Sequence, residues 1–239
     1  MTKPRMAVRT PIVAVLALLL LLAPLLAFNA DGGKAAASSV LAPRGIVVVG
    51  DSITARYNDK PGDAMQGWWS IVGRHYDATV TTYAQSGSGY LRPGRLCTGD
   101  RFIDRVQAFT SNAPSLFVIE GGRNDWADCV DGRFVTATDD AIAHAVDTYF
   151  TTLRTFLPRS TRIIVMGPPW GPVDRYDGTR VTRIIEAAAA QHGLEFIPTT
   201  GALNDERVVD GIHPNRQGCI AIADKVISAL RGSASRGAG

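Results

Sequence analysis

The run Ile46-Val-Val-Val49 constrains this chain more than any other stretch. It is too short for a helix, is entirely β-branched or nearly so, and shows no alternation of apolar and polar positions. A strand of that kind suits a sheet covered on both faces, as the parallel sheets of α/β proteins are. It ends at Gly50, where the chain can turn sharply, and delivers Asp51 and Ser52 to the strand's carboxyl end. In open α/β sheets that edge is where ligands bind. Alone, Ser52 reads as a helix N-cap, a position that Ser and Asp both favour. It becomes a nucleophile only with a base, a group orienting the base, and donors for an oxyanion.

Comparable apolar runs recur at 79–84, 114–120, 162–166 and 194–197. Between them lie helical patterns at 64–76, 101–109, 138–157 and 181–192, and a last one at 217–230. Strict alternation of strand and helix predicts an α/β fold: a three-layer α/β/α sandwich around a five-stranded parallel sheet. With 239 residues, 46% of them hydrophobic, the length favours one such domain.

The first segment stands apart. Lys3, Arg5 and Arg9 precede an apolar run over 12–28, the layout of a secretory signal. Small residues at Ala35–Ala37 offer a cleavage site, while the run's length also suits an uncleaved membrane anchor. The expected organisation is a signal peptide or anchor over 1–37, a linker over 38–44, one domain over 45–231 and a disordered tail over 232–239. The protein is therefore expected outside the cytoplasm, secreted or in the cell envelope. The net charge of +3 is carried by the leader, because basic and acidic residues balance after position 37. Nothing supports a basic nucleic-acid-binding surface.

Cysteine usage fits export. Cys97 and Cys129 fall in predicted loops and are expected to pair, whereas Cys219 lies in an apolar helical pattern and reads as a buried thiol. No Cys or His cluster suggests a metal, and no Gly-x-Gly-x-x-Gly or Walker lysine suggests a nucleotide. No cofactor is expected.

Three further blocks follow strand ends. Gln85-Ser-Gly-Ser-Gly-Tyr90 contains glycines that would let backbone N–H groups face a ligand. Gly121-Gly-Arg-Asn-Asp125 places a polar pair directly after an apolar strand, as an Asx turn or as ligand-binding groups. Asp210-Gly-Ile-His213 can fold a carboxylate onto an imidazole, and Pro214 keeps both on a loop. Trp68, Trp69, Tyr90, Trp126 and Trp170 are candidates for an aromatic pocket wall, with core packing the favoured reading for the first two.

Gly50-Asp-Ser52, the glycine turn, Gly122-x-Asn124-Asp125 and Asp210-x-x-His213 occur in the order of the SGNH, or GDSL-type, hydrolases, and over 45–231 the chain resembles that family. The resemblance implies a flavodoxin-like sheet and an ester hydrolase. Ser52 would be the nucleophile, His213 the base and Asp210 its orienter. The oxyanion hole would comprise the N–H of Ser52, the N–H of Gly89 and the amide of Asn124. Gly87 competes with Gly89, which is preferred as the later glycine, and Gln85 stands where the family often has Asn. The partner would be an acylated small molecule, lipid or glycan. The alternative readings are an acyltransferase acting on a cell-envelope sugar and a non-catalytic glycan- or lipid-binding domain.

Overall fold

The computed structural model describes residues 43–109, 113–172 and 178–236. The leader and most of the linker lie outside them. Among the described residues no helix is long and apolar enough to cross a membrane.

Among the described residues seven strands form: β1 (Gly45–Gly50), β2 (Thr79–Ala84), β3 (Leu116–Glu120), β4 (Ala127–Val130), β5 (Arg133–Thr136), β6 (Arg162–Met166) and β7 (Glu195–Ile197). The helices are α1 (Ser52–Ala55), α2 (Trp68–His75), α3 (Asp139–Phe156), α4 (Gly178–Gln191) and α5 (Arg216–Arg236). Five strands make one parallel sheet in the order β2-β1-β3-β6-β7. The expected three-layer sandwich is the observed fold.

The uninterrupted apolar runs are explained by what lies on each face. Val47, Val49, Phe117, Ile119, Ile163 and Val165 point to the side covered by α3 and α4. Their neighbours Ile46, Val48, Leu116, Val118, Ile164 and Met166 point to the side covered by α2 and α5. Period-2 alternation therefore distributes residues between two buried layers rather than between core and solvent. Each such side chain contributes roughly 1.5–3 kcal/mol relative to exposure.

The element boundaries differ from expectation where local geometry intervenes. The segment predicted helical over 101–109 is a 3₁₀ helix, Ile103–Phe109. The helix expected from 64 begins at Trp68, because residues 58–67 form a looped segment tied by Gly67 N–H to Asn58 O. The last helix runs to Arg236, past Leu230, so the tail expected from 232 is helical through Arg236. Gly232 costs about 1 kcal/mol relative to Ala within a helix, too little to stop it.

The hairpin β4–β5 is an addition to the expected plan. Asp131 and Gly132 both have positive φ, 49° and 73°, as a two-residue type I′ turn requires. Asp-Gly between β-prone residues is its sequence signal. Cys129 thus sits in a strand rather than a loop, and Cys97 in a 3₁₀ turn, Arg95–Cys97. Both sulfurs are joined as expected, with Cα atoms 5.5 Å apart. Cys219 is a buried free thiol on α5.

The disulfide closes a loop of 32 residues' separation. Replacing both Cys97 and Cys129 by Ser is expected to lower stability by about 2–4 kcal/mol. Urea unfolding under oxidising conditions measures this, and an unchanged midpoint would show that packing alone holds the hairpin.

Candidate active site

Strand order decides where the site forms. β1 is followed by β2 on one side and, after the crossover, by β3 on the other. The segments leaving the carboxyl ends of β1 and β3 consequently diverge and leave a crevice. Ser52 enters that crevice from β1 and Asn124 from β3.

At Gly50 a Cβ would press on Thr54 Oγ1 and Glu120 Oε2, so the tight exit from β1 needs glycine. Asp51, rather than Ser52, is the N-cap of α1, its Oδ1 accepting from Ile53 N–H at 2.8 Å. Ser52 is thereby released as the first helical residue with its hydroxyl on the cleft wall.

The loop before α5 supplies the groups facing Ser52. His213 Nε2 lies 3.0 Å from Ser52 Oγ, and His213 Nδ1 lies 2.7 Å from Asp210 Oδ2. Asp210 Oδ1 accepts from the N–H groups of Ile212 (3.1 Å) and His213 (2.8 Å), which fold the four-residue turn onto itself. Helix α5 starts only at Arg216, capped by Asn215 Oδ1 through Gln217 and Gly218 N–H. The Arg56 guanidinium lies 2.8 Å from His213 Nδ1 and 3.6 Å from Asp210 Oδ2.

Partial burial opposes ionisation of Asp210, but hydrogen bonds from the His213 backbone and ring and from Ile212 outweigh it and hold the carboxyl at about 2. Burial lowers the His213 pKa below its ordinary value against the pull of Asp210, with Arg56 and Arg123 adding to the lowering. The imidazole is therefore neutral at pH 7, with Nδ1–H directed at a carboxylate and a lone pair on Nε2 toward Ser52.

Two backbone donors lie on the cleft lining with this constellation. Neither Ser52 N–H nor Gly87 N–H has a hydrogen-bond partner among the described residues, and both residues line the cleft. Gly87 has φ +80°, a conformation that suits glycine. Gly89, preferred from sequence, is excluded as a donor: its N–H donates to Arg92 O at 2.9 Å, and its Cα packs against the Asp125 carboxylate. The loop turns back at Ser88, so the later glycine faces inward. Asn124 Nδ2 does reach the cleft, donating to Ser88 O (2.9 Å) and Asp51 Oδ2 (3.1 Å).

A buried polar frame holds these groups, and sequence reading assigned it no role. Asp125 is fully buried and accepts from three consecutive N–H groups, Tyr90, Leu91 and Arg92, at 3.0–3.1 Å. Arg105 donates to Gly50 O, Tyr83 O and Ser88 Oγ, joining β1, β2 and the glycine loop. Beneath Ser52, Trp68 Nε1 donates to Thr54 Oγ1, which donates to Glu120 Oε2 (2.8 Å). Burial raises the Asp51 pKa to about 7, and burial beside Asp51 pushes Glu120 well above the carboxylate range. The two carboxyls are not both ionised at neutral pH.

The cleft has a volume of about 770 Å³. Besides Ser52, Asn124 and His213, it is lined by Arg56, Arg92, Arg95 and Arg123, with Trp126 and Phe134 as aromatic walls. Of the expected aromatic residues only Trp126 lines it. Trp68 is 1% exposed in the core against α5, and Tyr90 is 1% exposed in a cluster with Phe102, Tyr149 and Phe150. Both are needed to fill volume at the sheet's flanks. Trp170 instead stacks near Arg123 and donates to Thr182 Oγ1. Trp69 donates to Thr54 O and borders a different hollow. Phe134, which lines the cleft, escaped notice because the hairpin did.

A serine, a neutral histidine and a carboxylate within hydrogen-bond reach, beside backbone and amide donors, define a serine-hydrolase constellation on a parallel α/β/α sheet. The profile of the GDSL-like lipase/acylhydrolase family matches residues 48–219, and the chain belongs to that family. Among curated proteins none matches the chain in sequence. Solved structures share the fold. Est24, a carbohydrate acetylesterase from Sinorhizobium meliloti, is 18% identical with a TM-score of 0.61, over 77% of this chain and 99% of its own. Axe2, an acetylxylan esterase from Geobacillus stearothermophilus, is 16% identical with a TM-score of 0.56, over 78% of this chain and 94% of its own. A carbohydrate esterase family 2 enzyme with a carbohydrate-binding domain, from Corynascus thermopiles, is 20% identical with a TM-score of 0.59, over 79% and 66%.

Asp125→Ala would leave three N–H groups, those of Tyr90 and Arg92 buried and that of Leu91 half-buried, without an acceptor. A loss of about 3 kcal/mol or more in urea unfolding is expected. A change below about 1 kcal/mol would mean that water replaces the carboxylate.

Proposed function

We propose that the protein is an exported serine ester hydrolase that cleaves acyl or acetyl esters through an acyl-enzyme on Ser52. The observation that carries the reading is the chain of contacts from Asp210 through His213 to Ser52 Oγ, 2.7 and 3.0 Å long, at the mouth of a cleft. Membership of an acylhydrolase family supports it, as does similarity of fold to carbohydrate acetylesterases. The basic and apolar leader and the Cys97–Cys129 bond support export.

In this mechanism His213 Nε2 takes the Ser52 proton as Oγ attacks the ester carbonyl carbon. The carbonyl π pair moves onto oxygen, and the oxyanion accepts from Ser52 N–H, Gly87 N–H and Asn124 Nδ2. For Asn124 this means giving up its bond to Asp51, the longer of its two. The tetrahedral species collapses, the imidazolium protonates the departing alkoxide, and Ser52 is left acylated. Water enters, loses a proton to His213 and attacks the acyl carbon. Collapse releases the acid and returns the proton to Ser52 Oγ. Asp210, fixed by two N–H donors, keeps the Nδ1–H tautomer and stabilises each imidazolium.

Hydrolysis of p-nitrophenyl acetate, butyrate and octanoate by wild type, Ser52→Ala and His213→Ala tests this. Wild-type turnover with a loss of at least about 10³-fold in both folded variants is expected. A Ser52→Ala protein as active as wild type would sink the reading. Asn124→Ala should lose about 10²–10³-fold in kcat. Because His213 must be neutral and its pKa lies below 6.5, kcat/KM should be flat near pH 7 and fall as pH drops, with a midpoint below 6.5. A midpoint above 7 would contradict the assigned base.

A further inference from the structure

The wall of the cleft is chemically one-sided. Its charged side chains are Arg56, Arg92, Arg95 and Arg123, and no carboxylate lines it among the described residues. This is local segregation rather than general basicity, because basic and acidic residues balance beyond the leader. A neutral sugar ester calls for no formal charge in the wall, whereas four guanidinium groups stand here beside the neutral hydroxyls of Ser52 and Ser86 and the Asn124 amide.

The arginines are also held in place. Arg92 is 8% exposed and lies over Phe134, Cζ 3.7 Å from the ring centroid. Arg123 is 6% exposed, 4.8 Å from the Trp170 ring, and donates to Pro169 O. Arg95 is exposed, and its side chain has no hydrogen-bond or ion-pair partner among the described residues. Its backbone position is nonetheless determined: the following Leu96 and Cys97 take positive φ, 57° and 58°, and Cys97 is bonded to β4. Such conformations persist only where surroundings impose them. Asp51 and Glu120 lie within the field of Arg123, so the exposed, unpaired positive charge of the rim among the described residues is that of Arg95.

We propose that the cleft selects esters bearing an anionic group, a carboxylate, phosphate or sulfate, which Arg95 receives at the rim with Arg92 and Arg123 behind it. The proposal rests on the esterase reading and names its substrate class. A cleft lined by one sign of charge raises the local concentration of an opposite one, and guanidinium groups bind oxyanions in fork geometry.

Two matched pairs test it and distinguish where the anion sits. p-Nitrophenyl hydrogen succinate against its methyl ester places the charge on the acyl side, and 4-acetoxybenzoate against methyl 4-acetoxybenzoate places it on the alcohol side. In at least one pair the anionic ester should have kcat/KM about tenfold higher than its neutral partner. The ratio should fall toward one in Arg95→Gln and in 0.5 M NaCl. Neutral esters preferred in both pairs, or a ratio indifferent to Arg95→Gln and salt, would overturn it. Failure of the esterase reading is seen separately, as absence of turnover with every ester. In that case titration of Ser52→Ala protein with succinate and with dimethyl succinate by calorimetry decides. Binding of the dianion alone, lost in Ser52→Ala/Arg95→Gln, upholds the anion site, and equal or absent binding refutes it.

Discussion

The structure depends on β1 being hydrogen-bonded on both edges and packed on both faces. Pairing with β2 and β3 fixes its register, so a shift by even one residue would exchange the two buried layers and move Ser52 off the crevice. Val49 is wholly buried and Asp51 likewise, only two residues apart, which shows how abruptly the chain passes from apolar core to polar site. Nothing in α1, a helix of four residues, could hold the serine without that anchorage.

Around the serine a second system takes over from hydrophobic packing. Asp125 gathers the backbone of the glycine loop, Arg105 joins that loop to the ends of β1 and β2, and Asn124 links the loop to Asp51. These groups are buried or half-buried and bond to one another, so the site's donors are oriented before substrate arrives. Electrostatic stabilisation of a transition state depends on that prior orientation, since dipoles that had to turn during reaction would give back much of what they contribute. The raised protonation of Asp51 and Glu120 belongs to the same frame: two carboxyls in one dry space beneath α1 hold at least one proton near neutral pH.

The fold was readable because its central strands are buried on both faces and its edge strands keep short β-prone runs. Runs such as Arg162–Met166 and Thr79–Ala84 have the same bounds in sequence and structure. Ser52, Asn124, Asp210 and His213 were readable because each follows an element boundary, and all four come together. The choice between Gly87 and Gly89 was not, since it turns on which N–H the loop consumes internally, a matter of a single hydrogen bond to Arg92 O. The aromatic residues misled for a related reason. Tyr90 sits next to the glycine loop in sequence, but its size and apolar ring carried it into the core, whereas Trp68 packs in the core as its favoured reading has it. The arginines of the cleft come from three separate segments and form no pattern along the chain.

The Asp131-Gly132 turn and the Cys97–Cys129 bond make the outer rim of the cleft a unit distinct from the sheet. β4 and β5 pair only with each other, and their covalent tie leads to the turn that carries Arg95. Two cleft residues from distant segments, Arg95 and Phe134, therefore belong to one small cassette tied by its own strand pairing and disulfide. A scaffold arranged this way separates the evolution of preference from that of chemistry: the rim can be exchanged while the serine, its base and their frame stay where the sheet has put them.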